Sequence, residues 1–151
     1  MNRGRRAQMF TKQVSIFLEN KKGRLADVTK VLADAGVNMR ALSLADTGDF
    51  GVLRLIVDDR ARCMRALKEH GLAAQETDVV AVEIEDKPGS LHRIVEVLDR
   101  ENINVEYIYT FVGKRGNSAI AVFRSDETAR AVDALVKGGI SILPEDVIEN
   151  L

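Results

Sequence analysis

The sequence predicts an α+β fold built from two βαββαβ units in tandem, each an antiparallel sheet with its helices on one face. Three observations predict it. Residues 19–25, Glu-Asn-Lys-Lys-Gly-Arg-Leu, return as residues 85–91, Glu-Asp-Lys-Pro-Gly-Ser-Leu, which sets Gly23 and Gly89 66 residues apart (89 − 23 = 66). Each copy follows an alternating apolar run and precedes an apolar stripe at helical spacing. Between residues 14 and 42, eight positions are identical at that offset: Val14, Glu19, Lys21, Gly23, Leu25, Val31, Leu32 and Asn38. A repeat of this period is the mark of a doubled supersecondary unit.

The first unit, residues 10–79, opens on a strand in which Val14, Ile16 and Leu18 alternate with Ser15, Phe17 and Glu19. After the Gly23 turn, Leu25, Val28, Val31, Leu32 and Ala35 form a helical stripe that Gly36 stops. Residues 38–45 and 50–57 read as strands joined by Asp46-Thr47-Gly48-Asp49, which is turn chemistry. Ala61, Met64 and Leu67 mark a second helix ending at His70-Gly71, and a fourth strand begins at Gln75. The second unit, residues 80–151, repeats the order. Val80, Val82 and Ile84 form its first strand and Leu91, Ile94, Val97 and Leu98 its helix stripe; residues 103–112 and 118–124 form a hairpin across Gly113-Lys114-Arg115-Gly116. Ala129, Val132, Leu135 and Val136 make the last main helix, closed by Gly138-Gly139, before a short strand at 140–143 and a tail with at most one helical turn. No Gly or Pro breaks residues 77–84, so one strand of about twice the usual length is expected to run from copy to copy.

Composition narrows the function classes. With 46% hydrophobic and 30% charged residues in 151 the chain is globular. A net charge of −1 gives no general attraction to nucleic acid or to anionic membrane. One cysteine, Cys63, excludes an internal disulfide, and two histidines, His70 and His92, build no zinc spacing; neither a metal nor a cofactor is expected, and a reducing cytoplasm fits. There is no secretory segment and no apolar run long enough to span a bilayer. Residues 1–9, with Arg3, Arg5 and Arg6, read as a disordered leader or as a basic arm for RNA or lipid.

The chemistry concentrates at the repeated turns. A glycine corner feeding a helix presents unsatisfied N–H groups where a carboxylate or phosphate can sit. The strand, the corner Glu-Asn-Lys-Lys-Gly-Arg-Leu and the helix ending Ala35-Gly36-Val37-Asn38 resemble an ACT domain, the ligand-sensing module of amino-acid metabolism. The second copy resembles it through Glu-Asp-Lys-Pro-Gly-Ser-Leu and Glu101-Asn102-Ile103-Asn104, so nearly the whole chain is similar to stand-alone tandem ACT proteins. The resemblance implies a ferredoxin-like fold, pairing of units through sheets or helices, and a free amino acid bound between paired units. It further implies a homodimer and a metabolic enzyme regulated in trans, without catalysis by the chain itself. The family's ligand-holding turn asparagine corresponds to Asn20, and its asparagine after the first helix to Asn38 and Asn104. Around these, Lys21, Lys22, Gly23, Arg24 and Leu25 line the first corner, and Asp86, Pro88, Gly89, Ser90 and Leu91 the second. Asp86 departs from the pattern: a carboxylate cannot donate as an amide does and repels an α-carboxylate, although it could hold an α-ammonium, so the two sites are expected to differ, with the first favoured.

Each feature has a plainer reading. Gly23 and Gly89 could serve close packing, Asn38 and Asn104 could cap strand ends, and Lys21, Lys22 and Arg24 could be a solvated turn. Cys63 and His92 read as packing and surface residues, and Tyr107 and Tyr109 share a strand face. RNA binding is the rival function, since ferredoxin-like sheets also read RNA, but it needs aromatic and basic residues interleaved on the middle strands. Nothing resembles a nucleophile with its base, a metal cluster or a phosphate loop.

Overall fold

The computed structural model describes residues 9–112 and 117–151. The leader at residues 1–8 and the turn at 113–116 lie outside the described residues. The elements follow the order β1 (Thr11–Glu19), α1 (Arg24–Asp34), β2 (Met39–Asp46), β3 (Phe50–Val57), α2 (Arg60–Glu69), β4 (Ala74–Glu85), α3 (Ser90–Arg100), β5 (Val105–Val112), β6 (Ser118–Ser125), α4 (Thr128–Lys137), β7 (Ile142–Leu143) and α5 (Glu145–Glu149). This is βαββαβ twice, with the tail forming one short helix. The expected long strand is present as β4, twelve residues without a break.

The chain forms two compact units, Lys12–Thr77 and Asp78–Glu149, and residues 9–11 group with the latter. In the first, the strand order is β2-β3-β1-β4, with β1 and β3 in the middle and β3 antiparallel to both β1 and β2. One face of that sheet carries Val14, Ile16, Leu18, Leu53, Leu55 and Val57 against Val28 and Leu32 of α1 and Cys63 and Leu67 of α2. Both helices therefore cover the same face. In the second unit β4 lies between β6 and β7, with β5 outermost. Its core sets Val80, Val82, Ala121 and Phe123 against Ile94 and Leu98 of α3 and Val132 and Leu135 of α4, and Met9 and Phe10 pack against it.

Strand β1 begins at Thr11, three residues before the alternation is visible in sequence. Its extra residues are polar yet buried: Thr11 and Gln13 are almost fully enclosed, and the Gln13 amide donates to Ser15 Oγ at 3.1 Å. The four long helices all end in one geometry. After α1, α2 and α4, Gly36, Gly71 and Gly139 take positive φ, and the next residue donates back to the helix, as Val37 does to Leu32 C=O at 3.0 Å. After α3, Asn102 fills that position at φ 56°, with Ile103 N–H donating to Leu98 C=O at 3.0 Å. An asparagine tolerates the left-handed region better than other non-glycine residues, so the helix stops without a glycine.

Candidate functional site

The first corner lies at the end of its sheet where β1 runs out beside the β2–β3 turn. Where β1 ends, Lys21 N–H donates to Glu19 C=O at 2.9 Å, closing a three-residue turn. Gly23 then takes φ 89° as the N-cap of α1, with no side chain capping the helix. A Cβ on Gly23 would meet nothing within 4 Å, and the same holds for Gly89, also at φ 89°. These glycines therefore serve backbone conformation and not close packing. In the first turn of α1 the Arg24 N–H is engaged by Lys21 C=O at 3.3 Å and the Asp27 N–H by Gly23 C=O at 3.0 Å, which leaves the amides of Leu25 and Ala26 for a ligand.

Asn20 ties this corner to the β2–β3 hairpin. Its Nδ2 donates to Gly48 C=O at 2.8 Å, and its backbone N–H donates to Asp49 C=O at 2.8 Å. With its N–H group so used, the amide keeps Oδ1 as an acceptor. A cleft of about 270 Å³ lies beside it, lined by Leu18, Asn20, Arg24, Leu25, Leu44 and Asp46 among others. Leu25 and Leu44 are 42% and 49% exposed, an apolar wall open to solvent. Around it the charges are paired locally: Lys21 with Glu19 at 2.7 Å and Arg24 with Asp27 at 3.1 Å. The hydrogen bond and charge of Lys21 hold the Glu19 carboxyl below its ordinary range. Exposed pairs of this kind are weak, because water screens them and two long side chains must be held in one geometry, so a ligand can displace them. Lys22 is exposed.

The second corner copies the scaffold and changes the chemistry. Lys87 N–H donates to Glu85 C=O at 2.9 Å, the Lys87 ammonium pairs with the Glu85 carboxylate and lowers its pKa, and Gly89 caps α3. Asp86 N–H reaches the hairpin at Asn117 C=O, 2.7 Å, but a carboxylate has no N–H with which to repeat the bond from Asn20 to Gly48. The cleft here, about 460 Å³, opens on the other side of the corner: Pro88, Gly89, Ser90 and Arg93 face Gly139, Ile140 and Ser141 before β7. Leu91 is exposed, as Leu25 is.

Asn38 and Asn104 do not join these corners within their own units. Asn38 precedes β2 while the Asn20 corner adjoins its far end, roughly 26 Å along an eight-residue strand step of ~3.3 Å per residue. Each asparagine is held through its backbone: Asn38 N–H donates to Asp58 Oδ1 at 2.9 Å and Asn104 N–H to Asp126 Oδ1 at 3.2 Å. These strand-end bonds come from the Asp58 and Asp126 side chains and use only the backbone of the two asparagines, so they do not give the asparagine side chains the expected capping role. Nothing local in the sequence signals the part played by Gly48, 28 residues from Asn20, beyond the turn it sits in.

On the middle strands of the first unit, Phe17 stands opposite Val52 and Ser15 opposite Arg54, which is not the interleaved aromatic and basic surface that RNA reading requires. Among the described residues no cluster of His, Cys, Asp or Glu could hold a metal, and no helix is long and apolar enough to cross a membrane. Cys63 is fully buried, and burial, with Asp58 and Asp59 nearby, pushes its thiol up to about 11.

The comparisons with known proteins agree with this architecture. The protein BT0572 from Bacteroides thetaiotaomicron is 38% identical, with 95% of this chain and 98% of that chain covered at a TM-score of 0.89. The ligand-free regulatory subunit of aspartate kinase from Thermus thermophilus is 16% identical over 87% of this chain and 95% of that one, with a TM-score of 0.60; its Thermus flavus counterpart is 18% identical over 87% and 94%, also at 0.60. A search of curated proteins finds no match. The family described as the ACT domain pair matches residues 9–151, and the chain belongs to it.

Proposed function

We propose that this protein senses a free amino acid at the Asn20–Gly23 corner, works as a homodimer, and regulates an enzyme of amino-acid metabolism in trans. The observation that carries the proposal is the first-unit cleft: first-turn amides of a helix for a carboxylate, an unused Asn20 Oδ1 for an ammonium, and the Leu25–Leu44 wall for a side chain. A helix terminus alone supplies about 0.3–1 kcal/mol. Micromolar affinity needs about 8 kcal/mol, so several charge-assisted hydrogen bonds and side-chain burial must provide the rest. Micromolar to millimolar sensing, matched to metabolite pools, follows. Asn20 and Asn38 stand at opposite ends of β2, so one ligand touches both only where two copies pair antiparallel. The fold shared with the regulatory subunit of Thermus thermophilus aspartate kinase supports a regulatory role, and a single buried cysteine suits the cytoplasm. Occupancy acts by favouring the assembly that binds the ligand better.

The test is a thermal-shift screen of the twenty amino acids on the wild type and on Asn20→Ala, Asn38→Ala and Asn104→Ala. The expected result is stabilisation by one amino acid or a few related ones, lost in the first two variants and kept in the third. No shift with any amino acid, or an undiminished shift in Asn20→Ala, would refute the proposal.

A further inference from the structure

Asn38 is held more firmly than an exposed residue at a strand end needs. In a regular antiparallel ladder a bonded pair exchanges two N–H···O=C bonds. Asn38 and Asp58 form such a pair with one acceptor changed. The Asp58 N–H donates to Asn38 C=O at 3.0 Å, but the Asn38 N–H donates to Asp58 Oδ1 at 2.9 Å. A carboxylate thus stands in for a backbone carbonyl in the last rung between β2 and β3, and a charged acceptor makes the stronger bond. The chain can then leave β3 at once: Asp59, the next residue, is already the N-cap of α2 and accepts from the Arg62 N–H at 3.0 Å.

The second unit repeats the device. Asp126 N–H donates to Asn104 C=O at 3.4 Å, and Asn104 N–H donates to Asp126 Oδ1 at 3.2 Å. In both units a bulge follows the asparagine, between Met39 and Ala41 and between Val105 and Tyr107. A bulge bends its strand and re-aims the side chains beside it, so the regular ladder beyond it does not fix where the asparagine points. The rung to the aspartate does. Its neighbours are anchored as well: Val37 is buried and its N–H donates to Leu32 C=O at 3.0 Å, and Met39 packs against the first-unit core. With backbone and neighbours fixed, the side chain of Asn38 is what remains to act. It is exposed and makes no hydrogen bond of its own among the described residues.

We propose that Asp58 is a positioning residue of the ligand site: its carboxylate sets the backbone of Asn38 so that the Asn38 amide meets a bound amino acid in one orientation. The inference rests on the reading of Asn38 as a ligand contact and adds the group that acts through it. A side chain that must be ordered on binding lowers affinity roughly three- to tenfold, and one already set avoids that loss. The scaffold role of the rung is common to both units. The ligand role falls on the first, so Asp126, which holds Asn104 in the same way, supplies the comparison.

The test is calorimetric titration of the full chain with whichever of the twenty amino acids gives the largest thermal shift. Asp58→Ala should weaken binding roughly three- to tenfold. Asp58→Asn, which keeps an Oδ1 acceptor, should recover most of that loss, and Asp126→Ala, with the equivalent rung removed, should bind as the wild type does. Asp58→Glu, whose acceptor is displaced by one methylene, should lose affinity as the alanine variant does and replaces it where alanine does not fold. Added to Asn38→Ala, Asp58→Ala should cause no further loss, because it acts through that amide. Hydrogen exchange without amino acid reads the clamp itself: the Asn38 N–H should lose protection in Asp58→Ala and keep it in Asp126→Ala. Equal losses of affinity in Asp58→Ala and Asp126→Ala, or additive losses in the double variant, would make Asp58 a fold residue only and overturn the inference. Binding lost in Asn38→Ala but unchanged in Asp58→Ala would overturn it and leave the sensing proposal standing. Undiminished binding in Asn38→Ala, or no shift with any amino acid, would overturn the ligand reading of Asn38 and this inference with it.

Discussion

Replacing Gly23 by alanine isolates what the corner demands of its backbone. Gly23 sits at φ 89°, and an added Cβ would meet no atom within 4 Å, so the entire cost is conformational. An L-residue in the left-handed region loses about 1–2 kcal/mol. Stiffening the unfolded chain returns about 0.4–1 kcal/mol, so the net destabilisation is about 1 kcal/mol. Gly89 has the same φ and the same open surroundings, so Gly89→Ala should lose the same amount. Urea unfolding of each variant, read as a shift in midpoint at constant slope, measures it. The expected thermal counterpart is a fall of about 4 °C. A loss above about 3 kcal/mol would mean that the corner is packed shut, and no loss at all would mean that the turn relaxes freely. Either result would refute the open, strained corner on which the ligand site depends.

Further expectations follow from the same geometry. Asn20→Leu should weaken amino-acid binding at least about tenfold in calorimetry, because it removes the bond to Gly48 together with the Oδ1 acceptor for the ligand's ammonium; a bond to a charged group is worth about 1.5–3 kcal/mol. The thiol of Cys63, pushed up to about 11, should resist iodoacetamide at pH 8 in the folded protein and react on unfolding. Its raised pKa also sets a sign: between pH 9 and 11 the unfolded thiol ionises before the folded one, so stability should fall with rising pH there, by a slope that Cys63→Ala removes.

Elements whose cause is local were legible from the sequence. Phe50–Val57 has the bounds its β-rich run and the preceding Asp-Thr-Gly-Asp turn suggest, and Gly36 and Gly71 stop helices where expected. What depended on residues distant in sequence was not. Thr11 and Gln13 look like solvated residues, and only their burial makes them strand. Asn102 ends α3 through a φ that no pattern of apolar residues reveals. The bond from Asn20 to Gly48 spans 28 residues, and its absence at Asp86 could be suspected from the substitution alone. That Asn38 stands a full strand length from Asn20 follows from counting residues along β2, yet residue chemistry alone groups the two together. The clefts open on different sides of the two corners because their neighbours differ, the β2–β3 hairpin in one case and the loop before β7 in the other.

Calorimetric titration of the stabilising amino acid into the full chain tests most directly whether the Asn20 corner is the sensor. The expected result is one site per chain, abolished by Asn20→Ala and retained in Asp86→Ala. Two equal sites per chain, or binding that survives Asn20→Ala, would contradict it.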